Sequence, residues 1–307
     1  MGITMNKLEL SKSPVNYTGG KFKLLPQLLP LFPDNINTCI DLFTGGANVG
    51  VNVDAKKIIC FDIVEPLISL YKTLQSTAAE KSLEKLEHII QAYNLTNTYR
   101  NGYSFYHCNS RDGVGKVNKA SYNQLKQDYN TQANPKMEDY LFFTLIIYGF
   151  NNQIRFNANG EFNIPAGKRD FNASVRKNLR SFIEAIQRKN IDFYVNDFQN
   201  IDVEFLGEND FVYADPPYLI KTATYNEQSG WTEREETDLF MLLDQLNKRK
   251  IKFALSNVLE SGEKKNLILE EWAKSYHVHD LNYSYRNSSY QKKDRTESDR
   301  EVLITNY

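Results

Sequence analysis

Residues 211–218 read FVYADPPY, and this stretch decides the fold class. The apolar run up to Ala214 is typical of a β-strand, and the residues after it end that strand abruptly. The two prolines stiffen the turn and donate no backbone hydrogen bond. In an open α/β sheet, ligands bind beyond the carboxyl ends of the strands. We therefore expect a strand over 210–214 that leads into a rigid, polar, ligand-facing turn.

Strands and helices alternate on both sides of this stretch. Strand patterns lie at 38–42, 57–61, 191–195, 251–255 and 302–305, and helical patterns lie at 66–74, 82–93, 173–188, 239–246 and 264–276. Such alternation is typical of a mainly parallel sheet with helices on its faces. The expected fold class is therefore α/β.

The middle of the chain interrupts this alternation. Residues 95–135 are polar, rich in Asn and Tyr, and poorly periodic. Helical spacing then returns along one face, at Met137, Tyr140, Leu141, Thr144, Ile147 and Tyr148. We therefore expect an α/β domain built from residues 1–70 and 185–307, with a mainly helical inserted domain over 71–184.

Composition and charge limit the kinds of partner. Hydrophobic residues make up 41% and charged residues 24% of the 307 residues, a balance typical of a globular protein. The formal net charge of −1 argues against a protein that coats nucleic acid by charge alone. Residues 155–189, however, carry eight Lys or Arg against three acids. This run fits either a solvated helix face or a surface that follows phosphates.

Neither a metal centre nor a membrane span is expected. Cys39, Cys60 and Cys108 are odd in number and lack the spacing of metal ligands or of a disulfide framework. This cysteine usage fits a reducing cytoplasm. The longest apolar stretch near the start, residues 24–32, is broken by prolines and is shorter than the roughly 20 residues that a spanning helix needs.

The turn at 215–218 presents two acceptors, the carboxylate of Asp215 and the carbonyl of Pro216. Two acceptors can hold both hydrogens of an aryl amine, which favours a pyramidal nitrogen whose lone pair can attack an electrophilic methyl group. This stabilisation grows as positive charge develops on the nitrogen, so it belongs to the transition state. The ring of Tyr218 offers a face on which a base can stack. The alternative is a rigid turn in which Asp215 serves as a cap.

A second motif, DLFTGGA at residues 41–47, follows the first predicted strand. Its glycines let backbone N–H groups approach a ligand, although a tight strand-to-helix turn fits equally well. The motif lacks the dinucleotide spacing and a Walker lysine, so NAD and ATP are poorly supported. Asp62 ends the next predicted strand, where an acid either holds ribose hydroxyls or caps a helix that begins near Pro66.

Two further stretches contain candidate binding residues. NYTGGK at 16–21 places Lys21 beside a glycine turn, where the lysine pairs with a carboxylate or lies exposed in a loop. YGFNNQIRFN at 148–157 alternates aromatic residues with Asn, Gln and Arg, the side chains that read base edges. Phe150 could wedge between base steps, whereas a polar loop over a core helix is the simpler alternative.

Together these motifs resemble the DNA adenine methyltransferase (Dam) family, from about Val15 to the C-terminus. The pieces occur in the family's order, as YTGGK at 17–21, DLFTGG at 41–46, Asp62, RFN at 155–157 with GEFNIP at 160–165, and DPPY at 215–218. The stretch 215–274, which includes SNVLE at 256–260, is especially similar to the T-even phage branch. The resemblance implies a Rossmann-like S-adenosylmethionine-dependent methyltransferase fold with an inserted, mainly helical DNA-recognition domain over 71–184.

The resemblance further implies methyl transfer from S-adenosyl-L-methionine to the 6-amino group of an adenine that has left the DNA duplex. Asp215, Pro216 and Tyr218 would form the catalytic pocket, and no metal is needed. The implied cofactor-binding residues are Tyr17, Lys21, Asp41, Phe43, Gly45, Gly46, Asp62, Asp197, Phe198 and Asp215.

The resemblance also implies a third set of residues, which contact double-stranded DNA. Phe150 and Asn151 would occupy the gap left by the adenine, and Arg155 would read a guanine. The implied set is Asn16, Phe150, Asn151, Gln153, Arg155, Asn157, Pro165, Lys168 and Arg169, with phosphate contacts from 168–180 and 286–300. GATC is the expected target, although Asn16 and Gln153 replace a lysine and an apolar residue of the bacterial branch. We expect a cytoplasmic monomer or weak dimer.

Two rival functions stay open at this point. One is methyl transfer to another planar amine, namely the 4-amino group of cytosine, an adenine in RNA, or a protein glutamine. The other is a DNA-binding regulator that kept the fold and lost catalysis. Asp215 as the first residue of its motif favours adenine, and an intact Asp215 with Lys21 argues against a regulator.

Overall fold

The computed structural model describes residues 10–15, 17, 19–221, 230–282 and 299–307. Within these ranges the strands are β1 Ile36–Asp41, β2 Ala55–Asp62, β3 Ile191–Val195, β4 Phe211–Ala214, β5 Lys252–Ser261, β6 Lys264–Lys265, β7 His277–Leu281 and β8 Asp299–Thr305. The helices are α1 Leu25–Leu28, α2 Asn48–Asn52, α3 Glu65–Ser76, α4 Ala79–Ala92, α5 Thr98–Phe105, α6 Gly115–Asn130, α7 Glu138–Tyr148, α8 Ala173–Arg188, α9 Glu233–Lys248 and α10 Leu267–Ala273. No helix in the described ranges combines the length and the apolar character that crossing a bilayer requires.

The strands form a mixed sheet in the order β3-β2-β1-β4-β5-β8-β7, with β6 paired to β5. Neighbours from β3 through β5 pair in parallel, whereas β8 runs antiparallel to both β5 and β7. The sheet is therefore parallel across five strands, in agreement with the predicted mainly parallel sheet, and antiparallel at the β7 edge. From β1 the chain adds β2 and then β3 on one side, and it then returns to add β4 and β5 on the other side. This reversal creates a switch point between β1 and β4, where ligands bind in open sheets.

Strand register brings the ends of the central strands level. Asp41, the last residue of β1, lies opposite Tyr213 of β4 and Cys60 of β2. Asp62 and Asp215 each follow these partners by two residues. Three carboxylates therefore come from neighbouring strands at the carboxyl edge of the sheet.

The chain divides into two compact units. We call the first the helical unit and the second the sheet unit. The helical unit comprises Met1–Tyr17, Gly46–Asn52 and Ser69–Lys189, and the sheet unit comprises Thr18–Gly45, Val53–Ile68 and Asn190–Tyr307. The segment predicted as 1–70 is thus divided between the two units, because the N-terminal residues and Gly46–Asn52 group with the helices.

The core of the sheet unit lies between the central strands and helix α9. Apolar residues repeat at Leu239, Leu243 and Leu246, one face of the helix, and all three are fully buried. Thr232 and Glu235 form a capping box that fixes where the helix begins. Truncating one such leucine to alanine typically costs about 2–5 kcal/mol, so this face anchors α9 on the sheet.

The core of the helical unit is built around α7. The sequence predicted one apolar face for this helix, but every residue from Tyr140 to Tyr148 is buried. The cause is that α4 and α6 both pack against α7, so this helix has no solvent face. Residues 95–135, predicted as poorly periodic, contain α5 and α6. Helix α6 buries only a narrow stripe that includes Tyr122, Leu125 and Tyr129. Its other residues are mostly polar, so the helical repeat of apolar residues was not recognisable in the sequence.

The C-terminal part differs from the prediction in two respects. The helix predicted over 264–276 is shorter, because β6 occupies Lys264–Lys265 and the Asn266 side chain caps α10 at Leu269. The strand predicted over 251–255 continues to Ser261 as it pairs with β8. These changes extend the antiparallel edge of the sheet.

Candidate functional site

The turn after β4 lies within an ion cluster in the sheet unit. The Lys21 ammonium is 2.8 Å from Asp215 Oδ1 and 3.5 Å from Glu301 Oε1. The Tyr218 hydroxyl lies 3.0 Å from Asp215 Oδ1 and 3.2 Å from Glu301 Oε1, and can donate to either. The structure therefore brings three predicted site residues together and adds Glu301, which the sequence did not single out.

Burial makes these charges depend on one another. Lys21 is 3% exposed, Glu301 is 2% exposed and Asp215 is 17% exposed. Burial lowers the pKa of Lys21, but the two carboxylates outweigh it and raise that pKa above its ordinary value. Burial raises the pKa of Asp215, and the charge and hydrogen bond of Lys21 offset only part of the rise. The raised pKa of Lys21 thus comes from the two carboxylates, whereas that of Asp215 comes mainly from burial and in smaller part from Glu301.

The backbone around Lys21 explains why this lysine is not an exposed loop residue. Gly19 has φ 79°, a left-handed conformation that glycine adopts without strain, and its carbonyl accepts a 3.0 Å hydrogen bond from Lys21 Nζ. Leu24 and Leu25, which follow directly, are buried. The apolar anchor after the turn draws the lysine into the protein, so the exposed-loop alternative is wrong.

One carboxylate oxygen of Asp215 accepts no hydrogen bond from the described residues. Within the described part of the chain, both of its donors bind Oδ1 and none binds Oδ2. No described backbone N–H donates to the carbonyl of Pro216 either. The acceptor pair that the sequence predicted is thus available in the geometry of the turn. Tyr218 is only 8% exposed, so its hydroxyl is fixed by the acids.

Asp62 ties the glycine turn after β1 to the end of β2. Its Oδ2 accepts from the Gly45 N–H at 2.7 Å, and its Oδ1 accepts from the Val64 N–H at 2.9 Å. Burial raises the pKa of this carboxyl, and the two N–H donors counteract part of the rise. Asp62 therefore organises the turn and the approach to α3, while its predicted contact with ribose hydroxyls stays a prediction.

Three aromatic rings meet near the ends of these strands. Phe43 and Phe198 have ring centroids 5.4 Å apart, and Trp231 lies 5.6 Å from Phe43 and 5.5 Å from Phe198. The Asp197 side chain accepts from Gln199 N and so caps the turn that carries Phe198. Trp231, which the sequence analysis missed, is held by a hydrogen bond from its indole to the buried Glu236. The trio offers aromatic faces of the kind that hold a purine.

Tyr17 and Gly46 lie in the helical unit. A Cβ on Gly46 would approach the Tyr17 Cβ to 3.2 Å and the Asn48 amide to 3.0 Å, so only glycine fits without displacement. Asn16, the expected outer-base reader, lies outside the described residues, as does Thr18.

Two glycines shape the loop that carries Phe150. A Cβ on Gly149 would lie 2.6 Å from the Leu145 carbonyl oxygen, and one on Gly167 would lie 2.3 Å from the Gly149 carbonyl oxygen. This close approach lets the Phe150 N–H donate to the Pro165 carbonyl at 2.8 Å. Phe150 remains 47% exposed at the surface of the helical unit, and Asn151 beside it has a left-handed φ of 53°.

The remaining predicted readers are held by their neighbours. Arg155 Nε donates to Asn163 Oδ1 at 2.8 Å, which fixes the plane of the guanidinium. The Asn157 side-chain oxygen accepts from the backbone of Asn159 and Glu161, so Asn157 shapes the turn itself. Gln153 is half-buried.

The basic run of the helical unit divides into two kinds of residue. Lys168 and Arg169 are exposed. Arg176, predicted to hold phosphate, instead pairs with Glu87 and packs over the Tyr99 and Phe171 rings, so that prediction is wrong. Of the second predicted run, 286–298 lies outside the described residues, and Arg300 pairs with Asp280.

The mixed α/β sheet is that of a methyltransferase fold, as the family match shows. The chain belongs to the D12 class N6 adenine-specific DNA methyltransferase family, whose sequence profile matches residues 17–287. The family is S-adenosylmethionine-dependent. In the described ranges no three His, Cys, Asp or Glu side chains group as metal ligands.

Named relatives agree with this assignment. The chain is 41% identical over 302 residues to the type II methyltransferase M.FokI of Planomicrobium okeanokoites, covering 96% of this chain and 43% of that protein. It is 38% identical over 304 residues to the modification methylase StsI of Streptococcus sanguinis, with coverages of 96% and 43%. The DNA adenine methylase of Escherichia coli K12 is 25% identical over 254 residues, covering 81% and 82%. The chain thus spans less than half the length of the first two relatives.

The donor set of the sheet unit fits S-adenosylmethionine. Asp62 is an acid at the end of β2, where ribose hydroxyls are held in related folds. The rings of Phe43, Phe198 and Trp231 suit an adenine. The Lys21 ammonium, in contrast, is engaged by Asp215 and Glu301, so its charge acts first on the acid cluster.

Proposed function

We propose that this chain is a site-specific DNA methyltransferase that methylates the 6-amino nitrogen of adenine. The observation that supports it most directly is the turn after β4, where Asp215 Oδ2 and the Pro216 carbonyl accept no hydrogen bond from described residues. Family membership supplies the reaction class, and this acceptor pair supplies a reason why the chain itself can perform it.

In this proposal Asp215 and Pro216 each accept one hydrogen of the amine. Both acceptors gain strength as the nitrogen becomes positive, which lowers the free energy of the transition state more than that of the bound substrate. When bound, the cofactor supplies an electrophilic methyl group to the nitrogen lone pair. Asp215 then takes the proton that the nitrogen releases, and its raised pKa makes it a better proton acceptor than an exposed aspartate.

Cofactor binding is assigned to one acid, to a trio of aromatic rings and to five further residues. Asp62 holds ribose hydroxyls, and Phe43 with Phe198 and Trp231 encloses the adenine. Tyr17, Asp41, Gly45, Gly46 and Asp197 retain the cofactor role that the resemblance implies. Support comes from Asp62, which is buried, fixed by two N–H donors and placed beside the Gly45 turn.

Target recognition is assigned to the helical unit, as a DNA-recognition domain. The exposed Phe150 with Asn151 would fill the space that the adenine leaves as it turns out of the duplex. Arg155 would contact a guanine edge, Gln153 and Pro165 a thymine, and the exposed Lys168 and Arg169 the phosphates. GATC and the likeness to the T-even phage branch belong to this proposal. The printed names of M.FokI and StsI support a role in restriction–modification.

Transfer of a tritiated methyl group from S-adenosylmethionine to duplex DNA tests the proposal. Expression in a host free of DNA methylation, followed by sequencing that detects modified bases, gives the site. We expect N6-methyladenine at one short sequence, and we expect Asp215→Ala to abolish transfer while DNA binding in a filter assay stays within about threefold.

The matched control is Asp244→Asn. Asp244 is also a carboxylate that accepts from aromatic donors, Trp272 and Tyr276, but it lies on α9 and neither donor belongs to the ion cluster. Methyl transfer to RNA or protein instead of DNA would support the planar-amine rival. Specific DNA binding without any transfer would support the regulator.

A further inference from the structure

Glu301 is a carboxylate buried inside strand β8. The strand's last five residues, Glu301–Thr305, are all buried, and Glu301 is the charged one among them. A buried carboxylate without a partner is strongly unfavourable, so its place in the sheet depends on compensation. That compensation comes from Lys21 at 3.5 Å and from the Tyr218 hydroxyl at 3.2 Å.

Among the described residues, the cluster contains two acids and one base. Asp215 and Glu301 are the acids, and Lys21 is within salt-bridge distance of both. With Lys21 alone beside it, Asp215 would be a weak acceptor for a developing positive charge. With Glu301 present, Lys21 is shared between two carboxylates, so its charge neutralises Asp215 less completely. A cationic transition state beside Asp215 is then stabilised more strongly by this carboxylate.

We infer that Glu301 is a positioning residue for methyl transfer, which takes up part of the Lys21 charge and so makes ionised Asp215 a stronger acceptor for the substrate amine. This inference rests on the proposed function. Glu301 acts through Lys21 and Tyr218 and is not assigned any contact with the substrate. Its contribution is electrostatic, because Lys21 would otherwise neutralise Asp215 alone.

A purely structural role for Glu301 predicts a different effect of its removal from the electrostatic role. If Glu301 only holds Lys21 and Tyr218 in place, its removal lowers the stability of the protein or the fraction of active enzyme. The electrostatic role instead predicts a change in the ionisation of Asp215. Asp215 is faced by Lys21 from the turn before α1, Glu301 from β8, Tyr218 from its own turn and Tyr213 from β4.

The direction of this change follows from the charges. The negative charge of Glu301 raises the pKa of Asp215. Replacing Glu301 with a neutral residue therefore lowers that pKa, so the fall in rate at acid pH moves to lower pH. At the same time the rate on the plateau falls, because Lys21 now neutralises Asp215 alone. A lower plateau together with an acid limb at lower pH is the signature that misfolding does not produce.

The test compares wild type, Glu301→Gln, Glu301→Asp and the Asp244→Asn control. Single-turnover methyl transfer is measured against pH with saturating S-adenosylmethionine and DNA. We expect Glu301→Gln to lower the plateau by about 10–100-fold, with dissociation constants for DNA and cofactor within about threefold. Glu301→Asp retains the charge and should recover part of the plateau with the wild-type acid limb. Asp244→Asn should change neither.

A second measurement does not depend on activity. Carbon-13 NMR of selectively labelled aspartate follows the Asp215 carboxyl in the protein alone, and the resonance is assigned by its loss in Asp215→Asn. The Asp215 carboxyl should titrate at lower pH in Glu301→Gln than in wild type. Glu301→Ala, which leaves room for water, replaces Glu301→Gln in both measurements if the glutamine variant does not fold.

The outcomes separate the two proposals. An active wild type whose Glu301→Gln variant keeps the same plateau and the same Asp215 titration overturns the role of Glu301 and leaves the proposed function intact. A wild type that transfers no methyl group to DNA overturns the proposed function, and the titration then decides on its own whether Glu301 controls the ionisation of Asp215.

Discussion

Lys21→Met should destabilise the sheet unit by about 3–5 kcal/mol at pH 8, because it leaves two buried carboxylates without their cation. The separations of 2.8 Å to Asp215 and 3.5 Å to Glu301 correspond to about 6 and about 5 kcal/mol of attraction at an effective dielectric constant of about 20. Dehydrating the ammonium costs several kcal/mol and offsets part of this sum. Methionine fills a similar volume, so the loss is mainly electrostatic.

The loss of unfolding free energy in Lys21→Met should also depend on pH. Without Lys21, the pKa of Asp215 rises further above its unfolded value, since Lys21 is what lowers it in the wild type. A carboxyl whose folded pKa is raised favours the folded state when protonated and disfavours it when ionised. The difference in the free energy of unfolding between variant and wild type should therefore shrink as pH falls from 8 to 5.

Urea denaturation followed by tryptophan fluorescence measures this difference, and the chain's two tryptophans, Trp231 and Trp272, both lie in the sheet unit. The control is Lys221→Met, which removes a more exposed lysine 3.0 Å from Asp299 and should cost about 0–1 kcal/mol. A Lys21→Met deficit below about 1 kcal/mol, or one that stays constant with pH, would refute the idea that this ammonium balances two buried acids.

Two further predictions concern the helical unit. Arg155→Ala should relax base choice at one position by about 1–3 kcal/mol, measured as methylation rates on a set of duplexes with single substitutions; an unchanged preference would remove Arg155 from base readout. Gly167→Ala should lower the free energy of unfolding by about 1–3 kcal/mol and weaken DNA binding, because its Cβ would lie 2.3 Å from the Gly149 carbonyl oxygen. Gly160→Ala is the control for Gly167→Ala. An alanine Cβ at Gly160 would meet no atom within 4 Å, although the φ of 77° there would still strain the alanine backbone. Equal losses of unfolding free energy in the two variants would contradict the argument from the close approach at Gly167.

Local patterns predicted much of the fold. Helix α8 and strand β3 have the predicted bounds, because Asn172 provides a visible cap and the largely apolar segment IDFYV begins at Ile191. Strand β7 was missed because its sequence, HVHDL, places polar residues on an edge strand whose side chains are mostly exposed. Helix α7 was assigned one apolar face because periodicity cannot show how many neighbours a helix will acquire.

The candidate site was predictable in part for a similar reason. The acceptor pair in the turn after β4 could be predicted, since a carboxylate next to a proline carbonyl is recognisable from sequence. The pairing of Lys21 with Asp215 joins segments that lie far apart in the sequence, and no local pattern connects them. Glu301 gave one weak signal, an acid at the start of an apolar strand, and only tertiary structure identifies its partner as Lys21.

The hydroxyl of Tyr218 carries a single hydrogen, yet two carboxylate oxygens lie within reach of it, at 3.0 Å and 3.2 Å. Rotation about its C–O bond redirects that hydrogen from Asp215 to Glu301 without displacing any heavy atom. If a bound molecule donates a hydrogen bond to Asp215, the Tyr218 hydroxyl can donate to Glu301 instead. The movement of a single hydrogen is thus enough to exchange one hydrogen-bond pattern of the cluster for the other.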